Sequence, residues 1–301
     1  MPEKIIESLR RGSICSADNL TAVAENCLIE HDFMVNRAAA EKSRYTRCMA
    51  VAPVQSAPVA PHPILPRYYR SAREKHRFVR GIFDQTAGDY DRVERAMALG
   101  TGSWYRRQAL MRAGLKRGMR VLDVAIGTGL VAREAAKIVG HPKLVLGIDP
   151  SAGMLAEVVG QLSIRVARGV GEQLPVADDR FDLVSMGYAL RHLGDLSRAF
   201  SEFFRVLKRG GTACILEITT PRGAAGRTLL RWYMRALVPM ISRLTSRSAR
   251  SPLLWEYYWD TIEACLPPQR VMQAMRDAGF VDVRQRVELG VFSEYTGRKP
   301  M

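Results

Sequence analysis

The stretch RVLDVAIGTG, residues 120–129, carries an apolar run into two closely spaced glycines. A strand ending in such a turn cradles a nicotinamide dinucleotide, a nucleotide phosphate or a ligand with no phosphate at all. Gly127, Gly129 and Ala132 satisfy G-x-G-x-x-A, and Asp149 follows Gly129 by 20 residues at the end of the next apolar run. That is formally a dinucleotide fingerprint, with the acid on the ribose hydroxyls. Asp123 shifts the balance. It precedes Ala125, Gly127 and Gly129 in the order D-x-A-x-G-x-G and sets a carboxylate where a pyrophosphate would lie. A dianion is repelled there, whereas the ammonium of an amino-acid moiety is attracted, so the turn suits a zwitterion joined to a nucleoside.

Outward from this turn, short apolar runs alternate with amphipathic stretches from about Ala72 onward. RVLDVAI, LVLGID, IRVARG, FDLVSMG and ACILEI read as five strands, each nearly apolar, as strands covered on both faces are. GLVAREAAKIVG, SAGMLAEVVGQL and DLSRAFSEFFRVLKRGG read as the helices between them, and PPQRVMQAMRDAGF then VDVRQRVEL as a late helix and strand. The alternation predicts an α/β fold with a doubly wound, mostly parallel sheet. Residues 1–66, ending in the Pro- and Ala-rich AVAPVQSAPVAPHPILP, read as an extension and linker, or as the product of a misplaced start codon. Residues 67–301 form the domain.

The chain has 301 residues, 47% of them apolar, enough for a sizeable core. No apolar run reaches the roughly 18 residues that span a bilayer, and the first thirty residues lack a signal-peptide pattern, which predicts a cytoplasmic protein. Five cysteines without a C-x-x-C pair argue against a metal site or disulfide framework. Cys214, inside TACILEI, reads as core filler. The net charge of +15 lies in residues 67–301, because residues 1–66 hold seven basic and seven acidic residues. Such a field favours acidic partners, but 37 of the 45 basic residues are Arg, which base composition of the genome explains equally well.

From FDQTAGDYD at residue 83 onward, the blocks YDRVERAMALG, VLDVAIGTG, GIDPSAGML, EQLPVADDRFDLVSMGYALRHLGD, FFRVLKRGG, LEITTP and AMRDAGF stand in the order and near the spacing of a known family. Over about three quarters of its length the chain resembles the class I S-adenosylmethionine methyltransferases, and among them the ubiquinone and menaquinone C-methyltransferases. The resemblance implies a Rossmann-like fold with helical lid segments and S-adenosylmethionine as cofactor. It places Thr128 and the backbone of Ala125 to Gly129 at the methionine end of the cofactor, Asp149 on both ribose hydroxyls and Met154 beside the adenine, where ordinary helix core is the other reading of Met154. Where the family has an Asp or Asn for the adenine amino group, this chain has Val170 followed by Gly171, leaving backbone groups or Glu172 to serve. A second departure is Arg209 of LKRGG, where the family prefers Pro, in what reads as a surface turn.

Methyl transfer to carbon needs alignment of acceptor, methyl and sulfur, and a group that draws a proton from a phenol or stabilises the phenolate. GYALRH, from Gly187, follows the fourth strand at the ligand-binding edge. The family carries Arg then Asn there; Arg191 matches and His192 replaces the Asn. Arg191 is read either as a phenolate stabiliser or as half of a structural ion pair. His192 is read either as a base suited to neutral pH or as a partly exposed helix-start residue. Tyr90 and Asp91 match the family's YD in a segment that closes over the cofactor, with Tyr90 a lid contact or a packing residue, and Glu94 stands where the family has Asn.

Residues 221–251 carry seven Arg and no acid. Arg227, Arg231 and Arg235 recur every four residues beside a stripe of Leu230, Met234, Leu237, Ile241 and Leu244, with a kink expected at Pro239. The stretch reads either as a peripheral contact with an anionic bilayer, through Trp232 and Tyr233 as well, or as a solvated face over a core or homodimer stripe. Trp255, Tyr257, Tyr258 and Trp259 either wall a flat ring or form a dense core. The expected activity is C-methylation of a prenylated benzoquinol or naphthoquinol, a small-molecule acceptor and not a nucleic acid, because no Asn/Asp-Pro-Pro-aromatic turn follows the fourth strand. An O- or N-methyltransferase of another small molecule and a non-catalytic accessory protein with the same fold are the alternatives.

Overall fold

Strand β1, Val121–Val124, is buried along its whole length, and it lies near the middle of a seven-stranded sheet. A computed structural model of the chain describes residues 58–97, 101–245, 248 and 250–301. They belong to one unit, Ser56–Met301. Residues 1–57, which hold the extension and the first eight residues of the linker, lie outside the described residues.

Around β1 stand β2 (Val145–Asp149), β3 (Arg165–Arg168), β4 (Phe181–Gly187), β5 (Leu207–Ile218), β6 (Val281–Glu288) and β7 (Phe292–Arg298), in the order β3-β2-β1-β4-β5-β7-β6. The first five pair in parallel, and β7 inserts antiparallel between β5 and β6. Sequence reading found the five parallel strands and β6 but missed β7. The LKRGG segment, read as a surface turn, is an irregular entry into β5, where the register with β4 shifts and Gly210 has a positive φ.

Helices α1 (Ala72–Met97) and α2 (Gly102–Arg112) precede the sheet, and α3 (Leu130–Val139), α4 (Ala152–Gln161) and α5 (Leu196–Val206) make the crossovers. Their ends follow ordinary capping: the Ser151 hydroxyl accepts from Met154 N at 3.1 Å, and Asp195 accepts from Ser197 N at 2.9 Å. A helical insert between β5 and β6 comprises α6 (Ala224–Trp232), a π turn (Tyr233–Leu237), α7 (Val238–Thr245) and α8 (Ser251–Ala264); α9 (Pro268–Asp277) follows. The expected kink at Pro239 takes the form of the π turn just before it, because Pro has no N–H to continue the ladder.

Apolar residues on the two faces of the sheet form separate cores. Leu122, Val124, Val184, Phe200 and Phe203 belong to one, and Val121, Ala132, Leu183, Cys214 and Leu216 to the other. Alternation along each strand explains the division. A third core, with Ile82, Val93, Met234, Val238, Trp255 and Trp259, unites α1 with the insert and forms a cap beside the sheet. Residues 58–66, read as the end of the linker, run against this body as a strap. Val59 donates to Asp195 and accepts from Leu196 N at 2.9 Å, and Pro61 O accepts from Leu266 N at 2.8 Å.

Candidate active site

Three loops converge where the order of the sheet reverses, between β1 and β4, and a cavity of about 660 Å³ lies over them. The loop after β1 needs Gly129, whose φ of +86° is left-handed and whose N–H closes the turn on Ile126 O at 2.9 Å. Ala125 and Tyr188, both on the cavity wall, are held at φ of +54° and +59°, left-handed conformations that cost residues with a Cβ some backbone strain.

Asp149, at the end of β2, accepts from Gly127 N at 2.9 Å with one oxygen and from Ser151 N at 2.8 Å with the other. Burial pushes its carboxyl up to about 6 against the pull of those two N–H groups. Asp123 is buried in β1 and accepts from the Ser185 hydroxyl at 2.6 Å. Burial lifts its carboxyl to about 7, so near neutrality it holds a proton about half the time. Both acids line the cavity. Two acids, a loop of backbone N–H groups and the buried Met154 are a donor and acceptor set matched to the ammonium, carboxylate and ribose of a zwitterionic nucleoside, with no cluster of metal ligands among the described residues.

Val170 and Gly171 line the cavity, as does Glu172, but Glu172 Oε1 accepts from Gly194 N at 2.5 Å and is committed to that loop. Thr128 likewise lines the cavity while its hydroxyl donates to Asp91 of α1. Asp84, unnoticed in sequence, makes a second tie from α1: it accepts from the Ser151 hydroxyl at 2.6 Å and from Gly153 N at 3.0 Å. A Cβ on Gly153 would stand 2.8 Å from Asp84 O, so glycine is what lets α1 close on α4. Helix α1 is therefore fastened down over the glycine loop as a lid.

At the other end of the cavity Phe83, Tyr90, Trp255 and Tyr258 form an aromatic wall. The Tyr90 ring stacks on Trp255 at 5.8 Å, and its hydroxyl meets that of Tyr258 at 2.5 Å. Glu94, also on the wall, pairs with Arg106. Tyr257 and Trp259 are buried and do not line the cavity, so the aromatic run divides between wall and core.

The structure places Arg191 behind this wall. It is fully buried, paired with Glu217, donates from Nε to Thr261 at 3.2 Å, and stands 4.1 Å from the centroid of the Tyr258 ring. It is absent from the cavity lining, which separates it from direct contact with an acceptor. Burial opposes its charge and Glu217 more than offsets this. His192 and Gly187 do line the cavity. Burial, with Arg191, Lys75 and His62 nearby, depresses the His192 imidazole well below its ordinary value, so it is neutral at pH 7 and a far weaker base than its residue type suggested.

The basic stretch departs from the sequence reading in detail. Arg231 pairs with Glu263, and Arg235 with Asp260 at 3.0 Å, so two of the three stacked arginines are tied to α8. Met234 turns inward, but Leu244 is 80% exposed, as are Leu229 at 66% and Trp232 at 59%. No described helix is long and apolar enough to cross a membrane.

Comparison with known proteins agrees with this geometry. The profile of the ubiE/COQ5 methyltransferase family matches residues 70–299. A demethylmenaquinone methyltransferase of Lactiplantibacillus plantarum is 32% identical over 73% of this chain and 95% of its own length. The ubiquinone/menaquinone biosynthesis C-methyltransferase UbiE of Geobacter sulfurreducens is 32% identical over 75% and 90%. Among solved structures, a SAM-dependent methyltransferase of Thermotoga maritima aligns with a TM-score of 0.52 at 20% identity, over 73% of this chain and 99% of that one. A phosphoethanolamine N-methyltransferase of Haemonchus contortus with bound S-adenosyl-L-methionine aligns at 0.52 and 17% identity, over 79% and 62%. These last two share the fold. The chain belongs to the ubiE/COQ5 methyltransferase family and is an S-adenosylmethionine-dependent methyltransferase.

Proposed function

We propose that the protein methylates a ring carbon of a prenylated benzoquinol or naphthoquinol. The carrying observation is the single cavity that joins the acidic glycine-loop end to an aromatic wall able to flank a flat ring; the names of the two bacterial relatives support the same acceptor class. S-adenosylmethionine, when bound, supplies an electrophilic methyl on a sulfonium, and transfer to a ring carbon releases one proton.

The chain contributes position and exclusion of water. Asp149 takes ribose hydroxyls, Asp123 faces the ammonium end, and the fastened α1 covers both. Tyr90 and Trp255 hold the acceptor ring, while Arg191 acts through Tyr258, fixing the ring and hydroxyl of that tyrosine from behind. Neutral His192, whose Nδ1 lies 3.3 Å from the Tyr257 hydroxyl, contributes its ring to the same wall. Adenine rests on backbone groups and the Val170 side chain, which lowers selectivity for its amino group.

The reading extends to how a lipid-soluble acceptor arrives. Trp104, 64% exposed, and Leu289, 86% exposed, line the cavity at its rim. Leu229 and Trp232 are the exposed chain neighbours of Leu230 and Tyr233, which line it as well. An apolar rim, together with the exposed Arg227 and Arg243 on the inserted helices, suits peripheral contact with an anionic bilayer. Incubation with isotope-labelled S-adenosylmethionine and a reduced host extract tests the function: label is expected in a quinone one methyl heavier, and label confined to water-soluble products would overturn the reading.

A further inference from the structure

Glu94 stands where the family has Asn, and its carboxylate belongs to the cavity wall. It follows Tyr90 by four residues on α1, so the two side chains share a face and lie about 6 Å apart along the helix axis. Glu94 Oε1 accepts from Nη2 of Arg106 on α2. Arg106 is only 4% exposed, also lines the cavity, and stands 5.6 Å from the centroid of Tyr188, just after β4. Gly102 admits this pair. A Cβ there would stand 2.7 Å from Arg106 Nη1 and 2.8 Å from Glu94 Oε1, so any side chain at 102 would push the two groups aside.

Five acids line the cavity among the described residues, and four of them have other work. Asp123 and Asp149 stand at the glycine-loop end, Glu172 is committed to Gly194 N, and Glu288 pairs with Arg286 at 2.6 Å. Glu94 is the fifth, one turn along the lid helix from the tyrosine that stacks on Trp255. Arg106 engages one of its oxygens, and Oε2 has no hydrogen-bond partner among the described residues. The side chain retains 17% exposure on a residue that lines the cavity, and Oε2 is not sealed in the interior. A ring held against Tyr90 therefore has an open carboxylate oxygen at its edge.

We infer that Glu94, oriented by Arg106, is a specificity-determining residue for the methyl acceptor, whose ring hydroxyl donates to its open carboxylate oxygen. An ionised carboxylate only accepts hydrogen bonds, whereas an amide both donates and accepts. A quinol O–H supplies the donor. The carbonyl of the oxidised ring brings a lone pair against a negative oxygen and is repelled. An amide at the same position turns its NH2 to the carbonyl and takes either form. The exchange of Asn for Glu thus biases the wall toward the reduced ring, the form whose carbon is nucleophilic enough to attack a methyl group. The inference rests on the quinol reading for its ligand and adds to it the residue that reads the hydroxyl.

Calorimetric titration of the full chain, saturated with S-adenosylhomocysteine and kept free of oxygen, tests it with a short-chain prenyl naphthoquinol and the matching naphthoquinone. Glu94→Gln keeps the size of the side chain and its bond from Arg106 while adding a donor. Glu94→Gln/Arg106→Gln removes both charges together, so that no buried guanidinium is left uncompensated should the single variant fold poorly. The wild type is expected to prefer the quinol, and that preference to fall about tenfold in both variants, because affinity for the quinol drops and affinity for the quinone does not. Equal weakening of both forms would make the pair a tie between α1 and α2 alone and overturn the inference, with the quinol reading left standing. A wild type that holds quinone as tightly as quinol overturns it as well. A wild type that binds no naphthoquinol overturns the quinol reading itself, and the inference with it.

Discussion

The hydroxyls of Tyr90 on α1 and Tyr258 on α8 meet at 2.5 Å, closing the lid helix onto the inserted helices across the acceptor end of the cavity. Burial raises both phenols, so both stay protonated and the contact is a neutral hydrogen bond. Tyr90→Phe keeps the stack on Trp255 and leaves the Tyr258 hydroxyl unpaired. The expected cost is about 1–2 kcal/mol, or a fall of roughly 2–6 °C in Tm for a domain of this size. Differential scanning calorimetry checks it; an unchanged Tm would mean the two hydroxyls contribute nothing to lid closure. With the acceptor wall loosened, the KM for acceptor should rise more than kcat falls.

Arg191 and Glu217 stand as a buried pair beneath that wall. Removing one partner leaves the other charge uncompensated, which costs about 3–5 kcal/mol, whereas replacing both by apolar residues is often near neutral. Arg191→Met is therefore expected to be much less stable than the double variant Arg191→Met/Glu217→Leu in urea unfolding. If the double variant regains stability but not turnover, the guanidinium behind Tyr258 serves the reaction as well as the fold. Equal loss in single and double variants would contradict the pairing argument.

Asp123 couples cofactor affinity to pH. Its carboxyl is raised by burial, so in the free protein the fold favours the protonated form; the associated stability is complete below the ordinary value near 4 and is lost as pH rises through about 7. Binding of an ammonium favours the charged form instead. Affinity for S-adenosylmethionine should thus weaken as pH falls below 7, approaching tenfold per unit, with protons released on binding. Asp123→Asn should bind weakly and with a flat profile from pH 8 to 6.5, yet show a higher Tm than the wild type at pH 8. Calorimetric titration in buffers of different ionisation enthalpy reads both effects, and a wild-type profile as flat as that of the variant would refute the assignment.

The parallel half of the sheet was legible because strands covered on both faces must be apolar throughout, and β1, β2 and β4 are. Strand β7 was hidden. Its residues, FSEYTGR, carry Glu294, which is buried only because Arg112 of α2 reaches it. The hairpin before it turns on Leu289 and Gly290, both at positive φ, where Asn-Gly or Asp-Gly would have signalled the turn. At the site, motif and spacing located Asp123, Gly127 and Asp149, since backbone turns are local. What each side chain binds is not local. The commitment of Glu172 to Gly194 N, the seclusion of Arg191 behind Tyr258 and the ties of α1 through Asp84 and Asp91 all depend on residues distant in sequence.

Contact with a bilayer has its own signature. Arg231 and Arg235 are held by Asp260 and Glu263, so the exposed apolar residues, not the stacked arginines, should dominate binding. Wild-type protein is expected to float with vesicles containing anionic lipid, less so with neutral vesicles and less at high salt. Trp232→Glu with Leu229→Glu should abolish flotation while turnover of a short-chain, water-soluble quinol is retained. Arg227→Glu with Arg243→Glu should weaken binding only to anionic vesicles. Full flotation by the Trp232 and Leu229 variant would remove the apolar rim from the account and leave acceptor entry independent of the membrane surface.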